Sequence, residues 1–168
     1  FETWRRAGAF TGLKRLLVPG AGRAPEPVAL ARAGHEVTLV DISAAALAAQ
    51  RAALAEARLS ADLIEADLLS WAPNQPMDGV YEQTCLCALP PERWPSYARR
   101  LHAWIRPGGV LFALFMQTGQ PGGPPFHCDL SAMAELFPAR DWHWLDDQPQ
   151  HAAHGDAREE LGYRLERR

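Results

Sequence analysis

Cysteine is scarce in this chain of 168 residues, with only three, two of them in Cys85-Leu86-Cys87. That is too few for a disulfide framework, and the CxxC pairs of a structural zinc site are missing, so reduced thiols and no metal centre are expected. No apolar run approaches the roughly 20 residues that span a bilayer, and no charged-then-apolar leader opens the chain. An excess of either charge is also lacking: the net charge is −3, which gives no general pull toward nucleic acid or an anionic membrane. The corresponding expectations are a small-molecule partner, no nucleic acid, no membrane, a cytoplasmic setting, and a monomer or weak dimer. Internal repeats and low-complexity linkers are absent as well. What is present is an ordinary globular balance, 48% hydrophobic and 22% charged, in a length that suits one domain over 1–168.

Short apolar runs alternate with helical stretches. Leu16-Leu17-Val18 predicts a buried strand stopped by Pro19-Gly20. Pro25 opens a helix through Val28, Leu30 and Ala31 that ends at Gly34. Val37-Thr38-Leu39-Val40-Asp41 predicts a second strand, and Ser43 caps an alanine-rich helix over 44–58. A third strand at Leu63-Ile64, a loop over 71–76, a strand over 79–84 and a helix over 92–105 follow, the helix broken by Pro107-Gly108-Gly109. Residues 110–116 are apolar on both faces, as a central parallel strand requires. Glycine and proline across 117–125 exclude a regular element; a short helix over 130–137 comes next. Trp142-His143-Trp144 and residues 161–165 predict two short antiparallel strands at the sheet edge. The fold expected is α/β, Rossmann-like and doubly wound: a mostly parallel seven-stranded sheet with an antiparallel C-terminal hairpin.

In such a sheet, ligands bind beyond the carboxyl ends of the strands. Gly20-Ala21-Gly22 stands at the first of these turns, where absent side chains let a ligand approach the backbone. Asp41 ends the second strand, where a carboxylate can accept both hydrogens of a ribose diol. A dinucleotide fingerprint would have a third glycine where Pro25 stands, and proline there removes an amide donor that a pyrophosphate uses. A nucleoside without phosphates fits better than a nicotinamide cofactor. Cys85 and Cys87, two apart in the fourth strand, are expected on one face as small buried hydrophobes. Trp94, Trp104, Trp142 and Trp144 are expected to pack between helices and sheet.

The run from Leu17-Val18-Pro19-Gly20-Ala21-Gly22 to Glu26, followed by Ala33-Gly34-His35-Glu36 to Ser43, resembles the first two motifs of class I S-adenosylmethionine-dependent methyltransferases. Tyr81-Glu82-Gln83-Thr84-Cys85-Leu86-Cys87 to Glu92, Tyr97-Ala98, and Gly122-Gly123-Pro124-Pro125-Phe126 narrow the resemblance to the thiopurine and thiol or halide methyltransferase group. It covers nearly the whole chain from Leu16 onward. The resemblance implies S-adenosylmethionine as donor and S-adenosylhomocysteine as product. It places Pro19, Gly20, Ala21 and Gly22 against the methionine part, Asp41 on the ribose, Asp67 and Leu68 beside the adenine, and Ile42 on its other face. Glu82 joins the donor side; Tyr81, Gln83 and His127 are the catalytic candidates, and Thr84 and Phe126 the substrate-pocket ones. Thiopurine-type members carry arginine where Gln83 stands, and thiol or halide members tend to carry an aromatic, so Gln83 leaves the acceptor open. The group also has an N-terminal segment that closes over the donor, for which residues 1–8 are short or incomplete.

The implied reaction is an in-line displacement, in which positioning supplies much of the rate. A thiolate or halide acceptor needs no strong general base, and the sequence holds no compelling acid/base pair. Transfer to oxygen or nitrogen would instead ask Tyr81 or His127 to act as a base. A nucleotide-binding oxidoreductase and a catalytically silent nucleoside-binding protein are the alternatives from other classes.

Overall fold

The structure is a computed structural model that describes residues 1–154 and 158–168. Its elements in chain order are α1 (Glu2–Arg6), β1 (Arg15–Pro19), α2 (Glu26–Arg32), β2 (Glu36–Asp41), α3 (Ala44–Glu56), β3 (Asp62–Glu65), β4 (Met77–Gln83), α4 (Cys85–Ala88), α5 (Trp94–Trp104), β5 (Ile105–Gln117), α6 (Leu130–Leu136), β6 (Trp142–Trp144), β7 (Gln150–His154) and β8 (Arg158–Arg167). The sheet runs β3-β2-β1-β4-β5-β8-β6, with β7 also paired to β8. The first five of these strands are mutually parallel and β8 runs against β5. The Rossmann-like, doubly wound, mostly parallel architecture is therefore as expected.

Residues alternating along β5 divide the core in two. Leu111, Ala113 and Phe115 pack with Leu86 of α4, Tyr97 and Leu101 of α5 and Met133 of α6. Phe112 and Leu114 pack on the other side with Trp4 of α1, Leu30 of α2 and Leu47 of α3. A sheet covered on both faces is what the unbroken apolar run of β5 demands.

Three local expectations are corrected. Among the described residues the sheet has eight strands rather than seven. The extra one, β7, is polar (Gln150-His151-Ala152-Ala153-His154) and lies on the outer side of β8, so it carries no apolar alternation to reveal it. β8 is correspondingly longer than 161–165 and sits between β5 and the short outer strands, so the C-terminal strands form more than an edge hairpin. Pro107-Gly108-Gly109 does end α5, but it does so as part of β5: Met77 pairs Ile105 and Gly79 pairs Val110, and the intervening residues bulge, with Gly108 at φ 70. Finally, Cys85 and Cys87 lie in the helical turn α4 rather than on one strand face. The Glu82 carboxyl accepts the Leu86 amide at 2.6 Å and draws the chain into that turn, with Thr84 at φ 63 making the corner. Both thiols are buried, as expected.

At the opposite end of the strands, Asp78 accepts the amides of Lys14 and Arg15 at 2.9 and 2.8 Å and the Arg106 guanidinium at 2.7 Å. Burial alone would raise its carboxyl, but these donors outweigh it and hold it at about 2. This acid locks β1 to β4 well away from the crevice.

Candidate active site

The carboxyl ends of β1, β2 and β3 stand side by side, where a doubly wound sheet takes its ligands. Gly20 and Gly22 both adopt left-handed backbone, φ 57 and 52, which a side chain would strain. A Cβ on Gly20 would meet the Cys85 sulfur at 2.9 Å, whereas one on Gly22 would meet nothing within 4 Å. Gly20 thus serves close packing of the turn on α4, and Gly22 borders open space. Pro19 and Ala21 are buried on either side. Asp41 ends β2 with one oxygen accepting the Gly22 amide at 3.1 Å and the other the Ser43 amide at 2.8 Å. It holds the glycine turn and the start of α3 while each oxygen keeps a further lone pair. Ile42, beside it, is 73% exposed, a large apolar side chain left on the surface. The Ala66 amide bonds the Asp41 carbonyl at 3.1 Å, bringing the third loop alongside. There Asp67 is exposed and accepts the Leu69 amide at 2.8 Å, a turn-forming bond, and Leu68 is half-buried.

Two residues not singled out from sequence complete this group. Gln50 of α3 is buried and donates to the carbonyls of Gly22 and Ala24 at 3.1 and 2.9 Å, tying down the turn from behind. Its signal was present: it is the one polar residue on the buried Leu47, Gln50, Leu54 face of an alanine-rich helix. Glu26, in the first turn of α2, has a buried Oε2 with no hydrogen-bond partner among the described residues. The exposed Ile42 side chain, the Asp41 carboxylate and a Glu26 oxygen without a hydrogen-bond partner among the described residues, near a turn with two left-handed glycines, suit a nucleoside carrying a cationic group.

The end of β4 stands beside that of β1. Tyr81 is buried against the edges of Phe1 and Trp4 and donates its hydroxyl to Gln83 Oε1 at 3.0 Å. Burial, with Glu26 and Glu160 near, pushes that hydroxyl far above its ordinary value, so it stays protonated. Gln83 is half-buried, and its Nε2 donates to Glu160 at 2.7 Å. Glu160, on β8 and 1% exposed, is a third residue that sequence reasoning did not reach. On the alternate side of β4, Glu82 is buried; burial pushes its carboxyl up to about 8 against the pull of the Leu86 amide. Its contact with α4 is the structural one just described, and its Oε2 has no hydrogen-bond partner among the described residues. Thr84 is half-buried and donates to the Gln83 carbonyl at 2.7 Å.

The glycine-proline loop brings Phe126 and His127 beside this end. The Phe126 amide bonds the Cys87 carbonyl at 2.7 Å, and both residues line a shallow hollow with Pro91, Gly119 and Gln120. His127 Nδ1 accepts the Thr118 amide at 3.2 Å and lies 3.4 Å from that of Gly119, which fixes the loop and places the proton on Nε2. Burial pushes the Cys85 and Cys128 thiols up to about 12 and Cys87 higher still, so all three remain un-ionised. The expected residues of β1, β2, β4 and the loop after β3 thus stand at neighbouring strand ends, whereas Phe126 and His127 line the loop hollow, which none of the others lines; Tyr81, Glu82 and His127 are engaged in internal bonds.

Residues 3–161 match the thiopurine S-methyltransferase (TPMT) family. The chain is 31% identical over 128 residues to thiocyanate methyltransferase 1 of Arabidopsis thaliana, covering 74% of this chain and 56% of that protein. It is also 31% identical over 142 residues to a thiopurine S-methyltransferase of Vibrio atlanticus, covering 74% of this chain and 64% of that one. It therefore spans little more than half the length of the curated plant relatives it matches. Among solved structures, TehB of Haemophilus influenzae superposes with a TM-score of 0.81 over 100% of this chain and 62% of its own, at 16% identity. A 1,6-didemethyltoxoflavin-N1-methyltransferase of Burkholderia thailandensis does so at 0.79 over 99% and 76%, at 20% identity. At such identities these two likenesses speak to the fold.

Proposed function

The chain belongs to the thiopurine S-methyltransferase family, and from that premise we propose that it transfers a methyl group from S-adenosylmethionine to a small soft nucleophile: a thiol, a thiopurine or a halide. The observation that carries this is the turn after β1, where a Cβ on Gly22 would meet nothing within 4 Å, Asp41 holds the Gly22 amide and Ile42 is exposed. In this reading Pro19, Gly20, Ala21 and Gly22 bracket the methionine part, with the Glu26 oxygen that lacks a hydrogen-bond partner among the described residues as the acceptor for its cationic end. Asp41 takes the ribose with the lone pairs left by Gly22 and Ser43, and Ile42, Asp67 and Leu68 flank the adenine. Glu82 closes the donor side through its cap on α4. When bound, the donor supplies an electron-poor methyl on a sulfonium, and S-adenosylhomocysteine is the product.

The protein's own part is alignment and water exclusion. Thr84 and Phe126 form the acceptor pocket, while Tyr81, Gln83 and His127 order its polar rim. A soft nucleophile asks for no proton abstraction. Transfer to oxygen or nitrogen would need a base, and that alternative is disfavoured because Tyr81 gives its hydrogen to Gln83 and His127 Nδ1 receives loop amides. We further read the protein as acting in the cytoplasm on a small molecule, as a monomer or weak dimer and without nucleic acid. The net charge of −3 supports this, and among the described residues no helix is long and apolar enough to cross a membrane.

Calorimetric titration with S-adenosylhomocysteine beside NADH tests the donor assignment. Binding of the first alone, near micromolar or about −8 kcal/mol, is expected, followed by methylation of a thiol, a thiopurine or iodide. Binding of NADH instead overturns it.

A further inference from the structure

We infer that Glu160 is a positioning residue: it fixes the side-chain amide of Gln83 so that one N–H of that amide faces the methyl acceptor. This rests on the methyl-transfer reading of the same crevice and deepens it.

Gln83 is the last residue of β4, pairing Leu114 of β5, while Glu160 of β8 pairs Met116, two residues nearer the crevice. Both side chains therefore stand at the carboxyl end of the sheet. Gly162, opposite Leu114, has no side chain, and the Trp4 ring fills its place, since a Cβ there would meet that ring at 2.9 Å. The three polar groups form a chain with one direction. Gln83 presents its Nε2 to Glu160 Oε2, which accepts at 2.7 Å. Its Oε1 then faces Tyr81, whose hydroxyl must donate, at 3.0 Å. Of the two hydrogens on Nε2, one goes to Glu160 and the other has no partner among the described residues, on a half-buried side chain at the carboxyl end of β4. Without Glu160 the amide can flip and offer its oxygen instead. Glu160 is itself 1% exposed, so it acts through Gln83 and does not touch the acceptor.

The consequence is a preference for acceptors that carry a lone-pair atom beside the nucleophilic sulfur. Two thiols of equal size read this out: 2-methoxybenzenethiol, with an accepting oxygen, and 2-ethylbenzenethiol, without one. Loss of one hydrogen bond at the rim raises KM for the methoxy thiol about tenfold in Glu160→Leu. KM for the ethyl thiol and the affinity for S-adenosylhomocysteine stay within about twofold. Glu160→Gln, whose amide oxygen can accept the same N–H, stays close to wild type. Tyr81→Phe, which frees Oε1, shifts the ratio in the same sense as Glu160→Leu and serves if that variant does not fold. Equal losses for both thiols, or Glu160→Gln as damaging as Glu160→Leu, overturn the assignment and leave Glu160 a support of the fold. Calorimetric binding of the two thiols to the S-adenosylhomocysteine complex measures the same ratio without turnover. If that binding preference follows the variants while neither thiol is methylated, the methyl-transfer reading fails and the role of Glu160 stands.

Discussion

At the scale of single residues, the donor half of the crevice is organised by polar side chains that bind backbone. Gln50 donates to two carbonyls of the glycine turn, and removing it leaves both without that partner. Gln50→Leu keeps the volume and loses the bonds; urea denaturation is expected to show a loss of about 1–3 kcal/mol, with S-adenosylhomocysteine binding weakened because Gly22 is no longer held against Asp41. Stability unchanged in that variant would mean that the turn is held by Asp41 alone. How much of the site could be read from sequence follows from the same distinction. Gly20, Gly22 and Asp41 were legible because their chemistry is local: turn, strand end, carboxylate. Glu160 was not, since its meeting with Gln83 spans 77 positions and depends on where β8 enters the sheet. Asp41 was expected from sequence only as a ligand residue; its role as an anchor appears once the Gly22 and Ser43 amides are seen on its two oxygens.

At the scale of elements, the alternation of strands and helices was written in the apolar runs and their glycine and proline stops. Ser43 caps α3 as expected, accepting the Ala46 amide. What escaped was set by pairing and by one buried side chain: β7 is held as an outer strand by β8, and α4 is wound by the Glu82 carboxyl three residues ahead of its first residue. The contact of α4 with the glycine turn gives a comparison between two left-handed glycines. Gly22→Ala meets open space and costs only the left-handed backbone, about 1–2 kcal/mol. Gly20→Ala adds a collision with Cys85, sulfur at 2.9 Å and Cβ at 3.1 Å, and overpacking of that kind typically costs a further 1–3 kcal/mol or so. Urea midpoints of the two variants should differ in that order; equal losses would mean that α4 moves aside freely.

For the whole molecule, two buried acids at opposite ends of β4 bend stability with pH in opposite senses. Asp78 is held at about 2, below its ordinary 3.8, so its contribution is present above pH 4 or so and is lost as pH falls through 2. Glu82 is pushed the other way, from 4.5 up to about 8. The folded state keeps its proton where the unfolded chain releases it, so the contribution of Glu82 is complete below 4.5 and is lost as pH rises through 8. Between those limits the unfolded chain holds one proton fewer, and the difference in stability between wild type and Glu82→Gln should fall by about 1.4 kcal/mol per pH unit. Urea denaturation of both proteins at steps from pH 5 to 8 measures that slope. A flat difference would place the Glu82 carboxyl near its ordinary value, ionised at neutral pH on the cap of α4. A slope of the expected size means that α4, and the glycine turn packed on it, is held at neutral pH by a neutral acid, so that ionising Glu82 loosens the donor half of the crevice.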